Sequence, residues 1–301
     1  MISEAVIQSL KKYVPEENIC LQEPMAGHTT FRIGGPADCL LELEGVEQLI
    51  GVQGYLSRVG VPFFLLGNGS NLLVSDEGYR GVVLRIGQKM SGIEVEGSLL
   101  KVQAGATMAQ AARAALEHGL TGLEFASGIP GTVGGGVVMN AGAYGGEIKD
   151  CLVSATVLDA DGAMQELEKD ELELGYRTSV IQKKGYIVLE ALFQMKEGDR
   201  RAIQQRMREM NESRRQKQPL EYPSAGSTFK RPEGHFAGKL IEDAGLRGYR
   251  VGDAQVSEKH CGFVINRGNA TAAQVRELIA HVQEKVFQMS GIKLEPEVKI
   301  I

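Results

Sequence analysis

The feature that most constrains this chain is a glycine-rich run over residues 127–146, which reads SGIPGTVGGGVVMNAGAYGG. Backbone with so few side chains loses much conformational entropy on folding, so an ordinary structural loop rarely keeps it. A backbone that wraps closely around a flat ring and a pyrophosphate would need such a run. The run therefore predicts a cofactor-binding cradle, and the alternative is tight packing between protein segments.

A second loop, Gly67-Asn68-Gly69-Ser70-Asn71, follows an apolar strand predicted over 62–66. Two glycines and three small polar side chains can direct several N–H groups inward and form an anion-binding nest. The loop lacks the Lys-Ser/Thr ending of a P-loop and the glycine spacing of the dinucleotide-binding fingerprint. A plain turn between two strands is the alternative interpretation.

The composition bounds the class of protein. With 301 residues, 43% hydrophobic and 24% charged, the chain is long enough for two domains and is typical of a soluble globular protein. The net charge of −5 argues against general nucleic-acid binding. No apolar stretch is long enough to cross a bilayer, and the first residues lack the layout of a secretory signal, so we expect a cytoplasmic protein without a membrane partner.

The cysteines and histidines predict neither a metal site nor a disulfide framework. The four cysteines are scattered, with no C-x-x-C pair, and the five histidines show no metal-ligand spacing. No obligate protein partner is evident either. A local excess of basic residues, nine Lys/Arg against three Glu over 200–231, is either a solvated helix face or a phosphate-binding surface.

Hydrophobic periodicity and turn residues predict an α+β chain in two parts, 1–197 and 198–301. Helices are predicted over 3–14, 46–59, 107–118, 200–216, 237–244 and 271–289, and Thr107 is the predicted N-cap of the third. Strands are predicted over 62–66, 81–86, 153–158, 164–167, 186–193, 227–230 and 262–265, with a hairpin over 93–102 that turns at 96–98.

Three separated polar segments are the remaining candidates for chemistry. They are Tyr176-Arg177-Thr178-Ser179, Ser224-Ala225-Gly226-Ser227-Thr228-Phe229-Lys230 and Leu294-Glu295-Pro296-Glu297-Val298. Taken singly, each has an ordinary explanation: Arg177 as a surface ion pair, Ser227 as a turn hydroxyl, Glu297 as a solvated strand residue.

Together, these segments resemble the UDP-N-acetylenolpyruvoylglucosamine reductases. The resemblance extends to Thr30-Phe31-Arg32-Ile33-Gly34-Gly35-Pro36-Ala37-Asp38 and to Val256-Ser257-Glu258-Lys259-His260-Cys261-Gly262-Phe263. Any one of these motifs would be weak, but they occur in the same order over nearly the whole chain. The sequence has no room between Ser179 and Tyr186 for the tyrosine-bearing loop of the larger form of these enzymes, so it resembles the shorter class.

The resemblance implies a FAD-binding domain of the p-cresol methylhydroxylase/vanillyl-alcohol oxidase type, with its core over about 30–196, followed by a smaller α+β substrate-binding domain. It implies catalytic roles for Arg177, Ser227 and Glu297, and substrate contacts for Tyr176, Lys217, Arg231 and His260. The implied flavin-binding residues are Gly67, Asn68, Gly69, Ser70, Asn71, Ser127, Gly128, Ile129, Pro130, Gly131, Thr132, Gly135, Asn140, Ala141, Gly142 and Ala143.

The implied reaction is the reduction of an enolpyruvyl group on a UDP-sugar, with FAD bound non-covalently and NADPH as the hydride donor, in peptidoglycan precursor synthesis. Arg177 would stabilise the negative charge on the substrate carboxylate, and Ser227 would supply a proton. Two alternatives keep part of this interpretation. One is a FAD-linked alcohol oxidase or dehydrogenase of the same fold, and the other is a non-catalytic nucleotide-sugar-binding protein.

Overall fold

A computed structural model describes residues 2–301 of the chain. These residues form two compact units that are interleaved in sequence. Unit 1 contains residues 2–20, 39–67 and 81–214, and unit 2 contains residues 21–38, 68–80 and 215–301. Unit 2 thus takes two short segments from the first third of the chain, and the division of the sequence at 197/198 stays a prediction.

The described residues contain eight α-helices. They are α1 (Glu4–Leu10), α2 (Val46–Val59), α3 (Met108–Glu117), α4 (Val133–Val138), α5 (Val180–Lys184), α6 (Arg200–Lys217), α7 (Ala237–Asp243) and α8 (Ala272–Ser290). Short 3-10 helices occupy Glu16–Asn18, Met25–His28, Gln88–Met90, Glu124–Gly128 and Ile148–Asp150. No helix within residues 2–301 has the length and apolar character needed to cross a membrane.

Most strands lie in the first two thirds of the chain. They are β1 (Ile19–Pro24), β2 (Pro36–Leu43), β3 (Phe63–Leu66), β4 (Leu72–Leu73), β5 (Tyr79–Ile86), β6 (Ile93–Glu96), β7 (Leu99–Gln103), β8 (Leu120–Thr121), β9 (Gly142–Ala143), β10 (Gly146–Glu147), β11 (Leu152–Leu158), β12 (Met164–Glu168), β13 (Ile187–Gln194) and β14 (Lys196–Glu197). The others are β15 (Ser224–Ser227), β16 (Arg250–Val251), β17 (Ala254–Val256), β18 (Phe263–Asn266) and β19 (Lys299–Ile300).

Unit 1 is built on an antiparallel sheet in the order β12-β11-β13-β7-β6. A second sheet of the chain has the order β1-β2-β5-β3, with β3 parallel to β5, and its residues 39–43, 63–66 and 81–86 belong to unit 1. The core of this unit is fully buried apolar side chains from strands and helices, among them Leu41, Leu49, Val102, Ala112 and Phe193. Burial of this kind is the main source of its stability.

Unit 2 contains an antiparallel sheet in the order β15-β18-β17-β16, and β19 pairs in parallel with β4. The apolar face of α8 supplies Val275, Leu278, Ile279, Val282 and Val286 to the core of this unit. The helix begins at Thr271, which forms a capping box with Gln274. The carboxylate of Asp76 adds two further bonds, from Ala272 N–H at 2.7 Å and Ala273 N–H at 2.9 Å.

Several predicted elements are confirmed by the structure. Helix α2 covers 46–59 and ends at Gly60, whose φ of 68° is the left-handed C-cap that glycine favours. The β6–β7 hairpin turns through Gly97 with φ 59°. Helix α3 starts from a Thr107 capping box, as its sequence predicts.

Two predictions are wrong in their bounds. The first helix is shorter than 3–14, since it ends at Leu10 and is followed by a turn. The strand predicted over 227–230 lies at Ser224–Ser227, because its pairing with β18 contains an irregularity between Ser224 and Ser227, where Gly226 has φ 76°. Such a bulge shifts the pairing register and cannot be read from alternation alone.

Candidate functional site

The glycine-rich run is docked on the protein segment that precedes α3. The N–H of Val133 donates to Ala106 O at 2.7 Å, and the N–H of Gly134 donates to Ala104 O at 2.9 Å. In return, the N–H of Met108 donates to Gly131 O at 3.0 Å. The first amides of the short helix α4 are therefore paired within the protein.

Tight packing explains some of the glycines in this run but not all. A Cβ on Gly134 would lie 2.9 Å from the Cβ of Ala104, and one on Gly136 would lie 2.8 Å from the Sδ of Met108. A Cβ on Gly135 would meet only the Thr132 hydroxyl, at an ordinary 3.6 Å. Packing therefore accounts for Gly134 and Gly136, while Gly135, a predicted flavin-binding position, is a glycine that packing does not require.

The two predicted flavin-binding segments of unit 1 lie against each other. A Cβ on Gly67 would come within 2.6 Å of the Thr132 hydroxyl. Thr132 is buried, and its hydroxyl also accepts a bond from the N–H of Gly135 at 3.4 Å. The structure therefore brings Gly67 to the start of α4, a contact between residues that are far apart in sequence.

Helix α6 packs on the beginning of the same run. The amide of Asn211 donates to the Ser127 hydroxyl at 3.1 Å, and a Cβ on Gly128 would lie 3.2 Å from the Arg214 Cδ. Burial lowers the pKa of the Arg214 guanidinium. Arg214 is a partly desolvated cation beside Gly128. The sequence does not predict this position, because the pattern of α6 is typical of a solvated helix.

A tight turn presents Arg177 in unit 1. Gly175 and Thr178 exchange backbone bonds of 3.1 and 3.4 Å, which leaves Tyr176 and Arg177 at the tip. Arg177 has φ 56°, and its Nη2 donates to Gly142 O at 3.5 Å. Its guanidinium lies 5.2 Å from the centre of the Tyr176 ring, a cation–π contact. Tyr176, a predicted substrate contact, is 53% exposed.

In unit 2, the loop that contains Gly69 is held by the segment around Thr30. The N–H of Thr30 donates to Gly69 O at 3.2 Å, and the Thr30 hydroxyl donates to Ser224 O at 2.7 Å. A Cβ on Gly69 would lie only 2.1 Å from His28 O, and Gly69 has φ 58°. Only glycine fits such a position.

The same loop has the free donors that an anion-binding nest requires. The backbone N–H groups of Gly69 and Ser70 have no acceptor among residues 2–301, although Gly69 is buried. Buried N–H groups are almost always paired, so these two donors are suited to an acceptor from a ligand such as a phosphate.

Ser227 and Glu297, which are distant in sequence, are joined through Thr228. The N–H of Glu297 donates to Thr228 O at 2.8 Å, and a β-bridge pairs Phe229 with Pro296. Thr228 is itself buried, donates to Gly262 O at 2.8 Å, and accepts at its hydroxyl from Val264 N–H at 2.9 Å.

The Glu297 segment is also joined to the predicted flavin-binding loop, because the Asn71 amide donates to Glu297 O at 3.1 Å. The backbone of Ser227, that of Glu297 and the Asn71 side chain thus belong to one bonded arrangement in unit 2. Thr30 and Thr228 lie within the motifs that carry the family resemblance, but the sequence alone indicates no role for either. Their backbone and hydroxyl bonds, which join distant segments, are visible only in the structure.

The remaining predicted substrate contacts lie in unit 2. Burial lowers the pKa of His260, so the imidazole is neutral at pH 7. Its Nδ1 accepts from Gly262 N–H at 3.1 Å, which places the proton on Nε2. The Arg231 guanidinium lies 4.7 Å from the centre of the Phe236 ring. Lys217, the last residue of α6, is exposed.

The residues present fit a flavin nucleotide in two respects. The Gly69–Ser70 amides offer unpaired donors for a phosphate, and Gly135 leaves open the space that a side chain would fill. Ile129, Pro130, Ala141 and Ala143 add small or apolar surface within the same run. Among residues 2–301, no group of three or more His, Cys, Asp or Glu is arranged to hold a metal ion.

Two family models match the chain. Residues 37–168 match a FAD binding domain, and residues 218–301 match the C-terminal domain of UDP-N-acetylenolpyruvoylglucosamine reductase. These matches confirm the predicted flavin domain, its FAD cofactor and the α+β domain that follows. In a solved structure of alkyldihydroxyacetonephosphate synthase, 41% of that chain matches 65% of this one with a TM-score of 0.50 and 18% identity. That likeness concerns the fold alone and agrees with the predicted fold class.

Full-length relatives carry the same family name. The chain is 53% identical to the UDP-N-acetylenolpyruvoylglucosamine reductase of Agathobacter rectalis over 100% of this chain and 99% of the relative. It is 49% identical to that of Caldanaerobacter subterraneus subsp. tengcongensis, with the same coverage. The crystal structure of the reductase from Thermus caldophilus matches with a TM-score of 0.81 and 38% identity, covering 94% of this chain and 97% of that one. The chain belongs to the UDP-N-acetylenolpyruvoylglucosamine reductase family.

Proposed function

We propose that this protein catalyses the NADPH-dependent, FAD-mediated reduction of UDP-N-acetylglucosamine enolpyruvate to UDP-N-acetylmuramate in peptidoglycan precursor synthesis. Membership of the reductase family over the full chain supports this reaction. The observation in the structure that carries it is the bond from Glu297 N–H to Thr228 O, which joins the Glu297 segment to the residue that follows Ser227. The proposal includes action in the cytoplasm without an obligate protein partner.

The segments 67–71 and 127–143 would hold FAD, whose chemistry when bound would be hydride transfer from NADPH to the terminal vinyl carbon of the substrate. Residues of the chain would stabilise the negative charge that develops on the substrate and supply the proton. As the hydride adds, negative charge develops on the substrate carboxylate, and a preorganised guanidinium such as that of Arg177 stabilises it with two parallel donors. Two backbone bonds close the Arg177 turn and fix the backbone from which the guanidinium extends, which supports this role.

Ser227 would supply the proton that the neighbouring carbon needs to complete the reduction. A serine hydroxyl is a poor acid at neutral pH, so its surroundings must stabilise the alkoxide or return a proton quickly. Lys230 is a candidate for this electrostatic help, and its ammonium is paired with Glu295. Glu297, as an anion, would oppose the developing charge, so its carboxyl group acts either in its protonated form or by aligning a cation.

The flavin itself provides the test of the proposed reaction. The purified protein is expected to be yellow, to bleach on adding NADPH without oxygen, and to regain its colour when the enolpyruvyl UDP-sugar is added. A FAD-linked alcohol oxidase or dehydrogenase would instead be bleached by an alcohol and would regain its colour with oxygen or another acceptor. A non-catalytic nucleotide-sugar-binding protein would not be bleached by NADPH at all.

Lys217→Ala is expected to raise KM for both NADPH and the UDP-sugar by about tenfold, with kcat little changed. Both substrates carry phosphates, and loss of one charge-assisted bond costs binding in the ground state and the transition state alike. Steady-state kinetics with each substrate in turn would measure the effect. Arg201→Ala is the matched control, because it removes an exposed cation from the other end of α6. An unchanged KM in Lys217→Ala would show that Lys217 belongs to a solvated helix face and does not bind either substrate.

A further inference from the structure

We propose that the side chain of Asn140 is a positioning device for Arg177 rather than a contact to the flavin. This inference rests on the proposed role of Arg177 in the reaction. Asn140 lies in the glycine-rich run, where family resemblance implies flavin-binding residues. Its side chain, however, is fully buried within unit 1 and makes all of its bonds to the protein.

The hydrogen bonds of Asn140 leave its amide no donor for a ligand. Its Nδ2 donates both hydrogens, one to Glu147 Oε2 at 2.7 Å and one to Gly175 O at 3.1 Å. Its Oδ1 accepts from Lys149 N–H at 2.9 Å. These partners also fix the orientation of the amide, since two acceptors face the nitrogen and one donor faces the oxygen.

The backbone at this position favours asparagine as well. Asn140 has φ 43°, in the left-handed region, which asparagine tolerates better than other residues with a side chain, apart from aspartate. The N–H of Asn140 closes the end of α4 by donating to Val137 O at 3.1 Å. The residue type therefore meets a backbone requirement and a side-chain requirement together.

The acceptor Gly175 is the first residue of the turn that carries Arg177. The same stretch of the glycine-rich run holds this turn at two further points. Val138 O accepts from the Ser179 hydroxyl at 2.7 Å, and Gly142 O accepts from Arg177 Nη2 at 3.5 Å. Three residues of the run, Val138, Asn140 and Gly142, thus bond to the segment 175–179. The bond from Asn140 is the one that holds Gly175, where the turn begins.

An arginine side chain has many rotamers, so its usefulness for a carboxylate depends on a fixed backbone and a fixed neighbour. If the bond from Asn140 to Gly175 is lost, the turn can move relative to Gly142, and the guanidinium loses its place. The contacts described above for Gly67 and Gly135 do not involve this bond, whereas Ala141 and Gly142, two other predicted flavin-binding positions, follow Asn140 directly. The proposal therefore predicts a larger effect on Arg177 than on cofactor binding.

Asn140→Asp tests this prediction, because it keeps the size and tolerates a positive φ but replaces both N–H donors with a carboxylate oxygen that faces the acceptors Glu147 Oε2 and Gly175 O. We expect the variant to retain FAD and to be bleached by NADPH at the wild-type rate. Its re-oxidation by the enolpyruvyl UDP-sugar is expected to slow by about 100-fold, the scale for a misplaced electrostatic group. Stopped-flow absorbance of the bound flavin measures the two half-reactions separately.

A double variant distinguishes positioning of Arg177 from general disturbance. If Asn140 acts through Arg177, Asn140→Asp combined with Arg177→Ala re-oxidises no more slowly than Arg177→Ala alone, whereas independent effects would multiply. Asn140→Gly, which permits the left-handed backbone without the amide, should repeat the slow re-oxidation. Multiplying effects would overturn the proposal, as would loss of FAD or of folding in both Asn140 variants. A wild-type protein that the enolpyruvyl UDP-sugar does not re-oxidise would instead refute the proposed function.

Discussion

Ser227→Ala is expected to be reduced by NADPH as fast as the wild type but to form product about 10²- to 10⁴-fold more slowly, the usual contribution of a positioned general acid. The hydroxyl is needed only when the substrate carbon takes its proton, so the step before it should be unaffected. Anaerobic bleaching of the flavin followed by product quantification would measure both steps.

Ser224→Ala is the matched control for this experiment. Ser224 lies at the other end of the same strand, β15, and its bonds to Thr30 use backbone atoms that alanine retains. We expect this variant to keep both half-reactions. Unchanged turnover in Ser227→Ala would remove Ser227 from the mechanism, whereas equal losses in both variants would show that the strand, and not the hydroxyl, is sensitive.

Gly69→Ala is expected to weaken FAD binding by at least about tenfold, which corresponds to roughly 1.4 kcal/mol. The added Cβ would lie 2.1 Å from the carbonyl oxygen of His28, a backbone atom, so the loop or its neighbour must shift. Any such shift moves the N–H groups of Gly69 and Ser70 that we assign to a phosphate. Fluorescence of the flavin, which changes on release, would give the dissociation constant.

Gly97→Ala is the control that distinguishes the steric overlap at Gly69 from the backbone strain that any residue with a side chain has at a positive φ. Gly97 has φ 59°, against 58° for Gly69, but a Cβ on it would meet nothing within 4 Å. The control therefore carries the same left-handed strain, about 1–2 kcal/mol for a residue with a side chain, without the steric overlap. It should lower the melting temperature and leave FAD affinity unchanged. Equal losses of affinity in the two variants would contradict the assignment of the Gly69 loop.

The sequence predicts helices and turns well where the local pattern of residues is compatible with only one structure. The periodicity over 46–59, the turn at Gly97 and the capping threonine at 107 each specify a local structure, and each is confirmed. The motifs also suffice to identify the family, because their order along the chain is specific, while the roles of the candidate site residues stay predictions.

Other features depend on contacts that no local pattern contains. Helix α4 was not predicted because three of its six residues are glycines, which have low helix propensity, and it is held by bonds to Ala104 and Ala106. Strand β2 is buried on most of its length and therefore lacks the alternation that marks a half-exposed strand. The hydrogen bond from the Asn140 amide likewise needs an acceptor, Gly175 O, that is 35 residues away in sequence.

The interleaving of the two units has a consequence for how the protein is made. Asn71 reaches its partner, Glu297, across 226 residues, and β4 finds its parallel neighbour only in β19. During translation, residues 68–80 must therefore leave the ribosome long before the strand that completes them exists. The matched region 218–301 expressed as a fragment would lack both the 21–38 and the 68–80 segments, so we expect it to aggregate unless those peptides are supplied.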